Sequence, residues 1–358
     1  MAATSFVTYR YRVKDATSGK HLARMARAVN YVWNYCGAVQ EHAQKWGKKW
    51  PSAFDLVKLT AGAGEMLGLL AKSINAVCHE FVKARSAFGR RPKWRSSKRS
   101  LGWVPFSQGH DSIRVSGAVA IFRKQRYRLW MDRPVLAPIR CGSFSQDATG
   151  RWYLNLVCEV ANDRTGANGE VGIDLGLKAL ATLSNGETIE NPRHVRKHAD
   201  RLAKAQRAGR KKLARAIHRK VANARRDHLH KVSAAIVREN SLVVVGDVSP
   251  SKLVKTKMAK SVLDAGWAQL KHMLRYKSAL RRGAFVEVSE RLSTQTCSDC
   301  GCVGGPKGLE GLGVRSWACE ACGTVHDRDV NAARNILRSG RSAALQCTEI
   351  ASITAKAS

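Results

Sequence analysis

The sequence predicts a multidomain α/β protein, on three observations. From about residue 166 the order is a strand with one acid (Asp174), a hairpin, basic helices, a strand (Ser241–Val248), a helix, a strand ending at Glu290 and a last helix with an acid (Asp329). Between those last two elements stand two Cys-x-x-Cys pairs, Cys297/Cys300 and Cys319/Cys322. Ahead of residue 166, short strand patterns flank a long helical block. The first order suits an RNase H-like sheet, in which acids from strands and from the final helix meet at one edge. The cysteine pairs read as a zinc ribbon inserted into it, and the third pattern as a small β-barrel interrupted by helices.

The elements follow in order. Residues 5–14 alternate, with Phe6, Thr8, Arg10 and Arg12 opposing Val7, Tyr9, Tyr11 and Val13, as one strand does. From about Gly19 to Trp46, Leu22, Met25, Ala26, Val29, Val32, Trp33, Cys36 and Val39 form one helical stripe. A second helical block spans about Ala53 to Phe88, and the basic connector Gly89-Arg-Arg-Pro-Lys-Trp-Arg closes it. Residues 102–162 are short apolar runs separated by Gly, Asp and Pro turns, hence strands. Trp103, Trp130 and Trp152 among them are expected in the core. Residues 193–239 carry 16 Lys/Arg against 3 Asp/Glu in helix-forming sequence, a surface suited to a nucleic-acid backbone. Ser261–Arg281 is an amphipathic helix, Ala284–Glu290 a strand, and the small, polar residues 341–358 a disordered tail.

The 358 residues carry 62 Lys+Arg against 27 Asp+Glu, a net charge of +35. Such self-repulsion calls for a polyanionic partner and argues against an enzyme of small neutral substrates. Of the ten cysteines, Cys36, Cys78, Cys141 and Cys158 sit singly in apolar surroundings, and Cys302 and Cys347 lack obvious partners. That is no disulfide framework; thiolate zinc ligation fits a reducing compartment. The N-terminus lacks an apolar signal core, and no apolar stretch reaches the ~20 residues that cross a bilayer. A cytoplasmic, nucleoid-associated prokaryotic protein is expected. Four thiolates leave zinc no open position, so Cys297, Cys300, Cys319 and Cys322 staple rather than catalyse.

Three separated motifs converge on a family. Gly172-Ile-Asp-Leu-Gly, Thr294-Gln-Thr-Cys-Ser-Asp-Cys-Gly with Cys319-Glu-Ala-Cys-Gly, and Asp327-Arg-Asp-Val-Asn-Ala-Ala-Arg-Asn-Ile-Leu resemble TnpB (OrfB), the transposon-encoded RNA-guided DNA endonucleases related to type V CRISPR effectors. The specific match covers residues ~166–338; the N-terminal half agrees in layout only. The resemblance implies a wedge barrel at 1–18 and 96–165, interrupted by a helical recognition domain at 19–95. It further implies a RuvC nuclease domain at 166–292, the zinc ribbon at 293–325 and the RuvC final helix at 326–340. The implied partners are a guide RNA and target double-stranded DNA next to a short adjacent motif. The implied cofactors are catalytic Mg²⁺ and structural Zn²⁺, with two metals hydrolysing the phosphodiester.

Asp174 is the first expected ligand, because an ionised acid within Val-Gly-Ile-Asp-Leu-Gly is costly unless a cation compensates it. Asp329, in the first turn of the last helix, is the second, with Asp327 as that helix's N-cap; the alternative exchanges the two roles. The third position departs from the family: where Glu-Asp-Leu is usual, this chain reads Gly246-Asp247-Val248. Asp247 points to the opposite face unless Gly246 bulges. Glu290 shares a face with Ala284, Val286 and Val288 on the neighbouring strand and could enter the space the glycine leaves. The expected ligands are therefore Asp174, Glu290 and Asp329. The alternatives are a cleavage-dead RNA-guided DNA binder or transcriptional repressor, and a guide-independent nuclease or transposition accessory.

Overall fold

The computed structural model describes residues 4–107, 113–162, 167–248, 258–307 and 310–356. It divides into two compact units, Thr4–Val160 and the chain from Ala161 onward.

In the first unit, β1 (Thr4–Val13) exposes Phe6, Thr8 and Arg10 and buries Tyr11 and Val13, the alternation its sequence carries. Asp15 then caps α1 (Ala16–Lys45), accepting the Ser18 N–H at 2.7 Å. Leu22, Met25, Ala26, Val29, Val32 and Cys36 of its stripe are buried. The second helical block is three helices, not one: α2 (Ala53–Leu59), α3 (Ala63–Leu67) and α4 (Ala71–Phe88). Left-handed turns at Gly62 and Gly68 separate them.

Six further strands follow: β2 (Trp103–Phe106), β3 (Ile113–Ser116), β4 (Val119–Phe122), β5 (Gln125–Trp130), β6 (Ile139–Gln146) and β7 (Trp152–Ala161). With β1 they form one sheet in the order β2-β6-β7-β1-β5-β4-β3. The Phe106 ring from β2 lies 5.4 Å from Phe122 of β4, so the sheet curls over a shared aromatic core that also holds Tyr127 and Phe144. Trp152 lies in that core, whereas Trp130 is exposed under the Lys14 ammonium, against the expectation for it. Two cysteine expectations also change. Cys36 and Cys78 are not solitary but meet at 3.9 Å between α1 and α4, and Cys141 is exposed.

The second unit is built on β8 (Gly169–Leu175), β9 (Ala179–Leu183), β10 (Thr188–Glu190), β11 (Asn240–Gly246) and β12 (Ala284–Val288). Their order is β10-β9-β8-β11-β12. The β8/β9 and β9/β10 pairs are antiparallel, while β8/β11 and β11/β12 are parallel. The basic stretch forms α5 (Ala199–Arg207) and α6 (Lys211–Glu239). The next helix is broken at Gly266 into α7 (Ala259–Ala265) and α8 (Trp267–Leu280).

Alternation assigns each strand residue to a face. Val171, Ile173 and Leu175 of β8, with Val243 and Val245 of β11, pack against α6 and α8. Leu242 and Val244 of β11, with Val286 and Val288 of β12, pack instead against Ile336 and Leu337 of the last helix, α9 (Arg328–Lys356). A Cβ on Gly172 would stand 2.1 Å from the Ala333 carbonyl oxygen, so glycine and alanine together let α9 lie directly on β8. The tail expectation fails here: α9 runs on to Lys356 instead of ending near residue 340. Residues 341–356 contain no proline to stop it. Among the described residues no helix is long and apolar enough to cross a membrane.

Candidate metal centres and nucleic-acid interface

Parity brings the expected acids to one face. Asp174 follows Ile173 and so shares Gly172's side of β8, under α9. Gly246 follows Val244 on the same side of β11 and pairs in regular register with Val288, without a bulge. Glu290 lies two residues beyond Val288. Its carboxylate fills the space the glycine leaves: a Cβ built on Gly246 would stand 1.9 Å from Glu290 Oε1 and 2.5 Å from its Cδ. That Oε1 is buried and has no hydrogen-bond partner, a costly state for a carboxylate oxygen unless a cation faces it. Asp247, on the opposite face, is exposed and accepts the Glu290 N–H at 3.2 Å. It holds Glu290's backbone.

At the start of α9, Asp327 Oδ1 accepts the N–H groups of Asp329 (3.0 Å) and Val330 (2.9 Å), the geometry of an N-cap. Asp329 is left free of capping and pairs with Arg315 at 3.1 Å. Asp174 lies within the field of the other two carboxylates. Burial, then the charges of Glu290 and Asp329, raise the Asp174 pKa to about 8, with Arg328 opposing. Burial also raises Glu290 to about 6; Lys271 opposes this and Asp247 adds to it. Among the described residues the four thiols, and not these carboxylates, form a set with every ligand atom within 4.8 Å of the others; Asp329 pairs with Arg315. An unpartnered buried oxygen and an acid whose ionised form is disfavoured by burial and then by neighbouring charge are the donor set a hard divalent cation would fit.

The raised Asp174 pKa has a stability consequence. In the folded state this carboxyl prefers its proton, so its ionisation destabilises the cation-free protein progressively as pH rises from about 4 to about 8. Asp174→Asn should therefore raise the cation-free melting temperature at pH 8 by roughly 5 °C, equivalent to on the order of 2 kcal/mol. The gain should vanish near pH 4. Calorimetry showing a lower melting temperature at pH 8 would contradict it.

The four thiols form a second centre. Cys297 and Cys322 sulfurs lie 3.7 Å apart, Cys300 and Cys319 3.6 Å, and all four within 4.8 Å of one another. A tetrahedron with ~2.3 Å metal–sulfur bonds has edges of ~3.8 Å, so the set fits zinc. Cys302 is exposed and outside it, though its carbonyl accepts the Cys297 N–H. Sequence reasoning missed His326, buried on β14 (Val325–Asp327) with Nε2 3.0 Å from Cys297 Sγ, which places a polar partner behind one thiolate. It also missed the clamp on α9. Asn331 and Asn335 donate to the carbonyls of Ser293 and Thr296, and Asn331 accepts the Ser298 N–H. Both asparagines stand in the quoted Asp327–Leu337 motif, so the signal was present: buried amides on a helix need partners.

Beside Asp327 and Asp329 opens a groove of about 1030 Å³, rimmed by Lys178, Arg193, Arg196, Lys197 and Arg315. Cations lining one groove together with Asp327 and Asp329 suit a phosphate backbone.

Residues 267–336 match the family model for the Cas12f1-like TNB domain, and residues 155–257 match OrfB_IS605, described as a probable transposase. A Streptomyces pristinaespiralis protein, provisionally named an RNA-guided DNA endonuclease, is 34% identical over 82% of this chain and 76% of its own length. InsQ of Escherichia coli K12, named in the same way, is 26% identical over 92% and 90%. The fold is similar to that in a cryo-EM structure of a Cas12f1–sgRNA–target DNA complex, with a TM-score of 0.60 over 90% of this chain and 83% of that one, at 13% identity.

Proposed function

The chain belongs to the TnpB (OrfB) family, and on that footing we propose that it is an RNA-guided DNA endonuclease with a rearranged RuvC site. The observation that carries active cleavage is Glu290 seated in the side-chain space of Gly246, on the face that Asp174 and Asp329 share. The order β10-β9-β8-β11-β12, with α9 across one face, supports an RNase H-like core for it.

Asp174, Glu290 and Asp329 would hold Mg²⁺, which when bound activates water and stabilises the departing oxygen in phosphodiester hydrolysis. The chain's own groups do the rest. Asp327 orders the first turn of α9 and so sets where Asp329 stands. The Asp247 carboxylate holds the Glu290 backbone. Lys178, Arg193, Arg196 and Lys197 draw a DNA strand along the groove to the carboxylates. Guide pairing would read the sequence, and the net charge of +35 would neutralise RNA and DNA together. The curled sheet and the helices inserted after β1 would serve as wedge and recognition elements.

The test is to purify the full chain with a transposon-derived guide RNA and add matched or mismatched duplex, with Mg²⁺ or chelator. Cleavage of matched duplex only, lost with chelator and in Asp174→Ala, is expected. Cleavage indifferent to the guide would overturn the guided reading, and tight matched binding without cleavage would make the protein a guided repressor.

A further inference from the structure

The connector after α4, Gly89–Arg95, lies in the first unit and takes no part in the carboxylate site, yet it is firmly held. Asn34 Nδ2 donates to the Arg95 carbonyl and its Oδ1 accepts the Arg95 N–H, both at 2.8 Å. Trp33 Nε1 donates to the Lys93 carbonyl at 3.1 Å. The Arg95 guanidinium donates to Asn30 Oδ1 (2.9 Å) and to the Leu101 carbonyl (3.1 Å). A segment fixed in this way is a wall and not a tether.

That wall bounds a pocket of about 820 Å³ whose character is aromatic and cationic. Trp33, Phe88, Trp94 and Trp103 line it, and among the described residues no acidic side chain does. Arg95 lies 5.3 Å from the Trp33 ring centre and 5.7 Å from that of Trp103; Arg91 lies 5.1 Å from Trp94. Arg91 also pairs with Glu41, which is not part of the lining. Phe88 is 71% exposed and Trp94 50%, so folding leaves two large rings half in water at the mouth of the pocket. Arg90 and Lys93 add charge there. A ligand that covers the rings and meets the cations must be flat, aromatic and anionic.

We propose that this pocket receives one unpaired nucleobase of the guide RNA, stacked on Trp94 and Phe88, with its phosphate on the connector's cations. The inference rests on the guided reading above. Duplex DNA keeps its bases paired and stacked, whereas a folded RNA presents loop and bulge bases that splay onto aromatic rings and guanidinium planes. An apolar peptide could use the rings but would leave the cationic rim unanswered.

The experiment uses the full chain. First, the protein–guide complex is irradiated with ultraviolet light and digested, and nucleotide-bearing peptides are mapped. An adduct within residues 88–103 is expected. Second, RNA-free protein is titrated with guide RNA at several salt concentrations. Trp94→Ala and Phe88→Ala should each bind about 5- to 100-fold more weakly. Trp94→Phe, which keeps a ring, should bind near the wild-type level. The slope of log affinity against log salt should be unchanged in these variants, because stacking releases no counterions, and shallower in Arg91→Ala. Wild-type affinity in both alanine variants, adducts only elsewhere, or a weakening matched by a fallen melting temperature would overturn the pocket. If guide-dependent cleavage then persists, the guided reading stands without it. If the wild-type chain binds no guide RNA at all, both fall together.

Discussion

A Gly246→Glu, Glu290→Ala double variant will cleave guided DNA, while each single variant will not. Glu290→Ala removes the carboxylate that fills the glycine's space, and loss of several kcal/mol of charge stabilisation corresponds to on the order of 10³-fold in rate or more. Gly246→Glu alone must push a side chain into that occupied space, since even its Cβ would meet Glu290 Oε1 at 1.9 Å. It would also add a third acid beside Asp174, after Glu290 and Asp329, where the Asp174 pKa already stands at about 8. In the double variant the incoming glutamate rises from β11 into room that alanine has vacated, and the rate should return to within ~10-fold of wild type. Asp247→Ala, which removes only a partner of the Glu290 N–H, should cost at most ~10-fold. Single-turnover cleavage by protein–guide complexes decides the matter, with matched-duplex binding as the control. Wild-type rates in Glu290→Ala, or a double variant as inactive as its parents, would show that Glu290 is not the missing acid.

Removing zinc will abolish cleavage while leaving guide RNA bound. The thiolates hold two turns against each other, and the hairpin of β13 (Ser316–Ala318) and β14 runs straight into Asp327 and Asp329. Ser293, Thr296, Cys297 and Ser298 supply the backbone groups that Asn331, Asn335 and Arg338 of α9 bind. Once the turns loosen, those buried amides lose their partners, and the first turn of α9 loses the frame that orients Asp329. Cys319→Ser should release zinc and lower the melting temperature by ~10 °C, at roughly 3 °C per kcal/mol for a unit of this size. Zinc content, calorimetry and cleavage on one preparation test this. Full zinc content and an unchanged melting temperature in Cys319→Ser would refute the staple.

Some features were legible because they are short-range. Strand alternation at β1, the stripe of α1, the Asp327 cap and both Cys-x-x-Cys turns depend on spacings of two to four residues, which a linear sequence displays directly. Other features escaped for a related reason. One glycine each splits the 53–88 block twice and the 261–281 helix once, and apolar periodicity does not register such breaks. Beyond residue 340 the small, polar composition suggests disorder, yet no proline there ends the helix. His326 looked like any strand residue until the fold set it against Cys297, and Cys36 and Cys78, 42 positions apart, gave no sign of meeting.

The chain order alone determined which residues could act: an acid in a buried strand, an acid in a helix's first turn, four paired cysteines, and a glycine where the family resemblance implies glutamate. Parity even nominated Glu290. Whether that side chain reaches the glycine's space was decided only by the tertiary structure, because β11 and β12 meet through parallel pairing across about 40 residues of intervening chain. A strand's sequence fixes which face a side chain takes, but its distance from a neighbour is set by register and by the helix packed above. Here that helix, α9, lies close enough on β8 to gather the face.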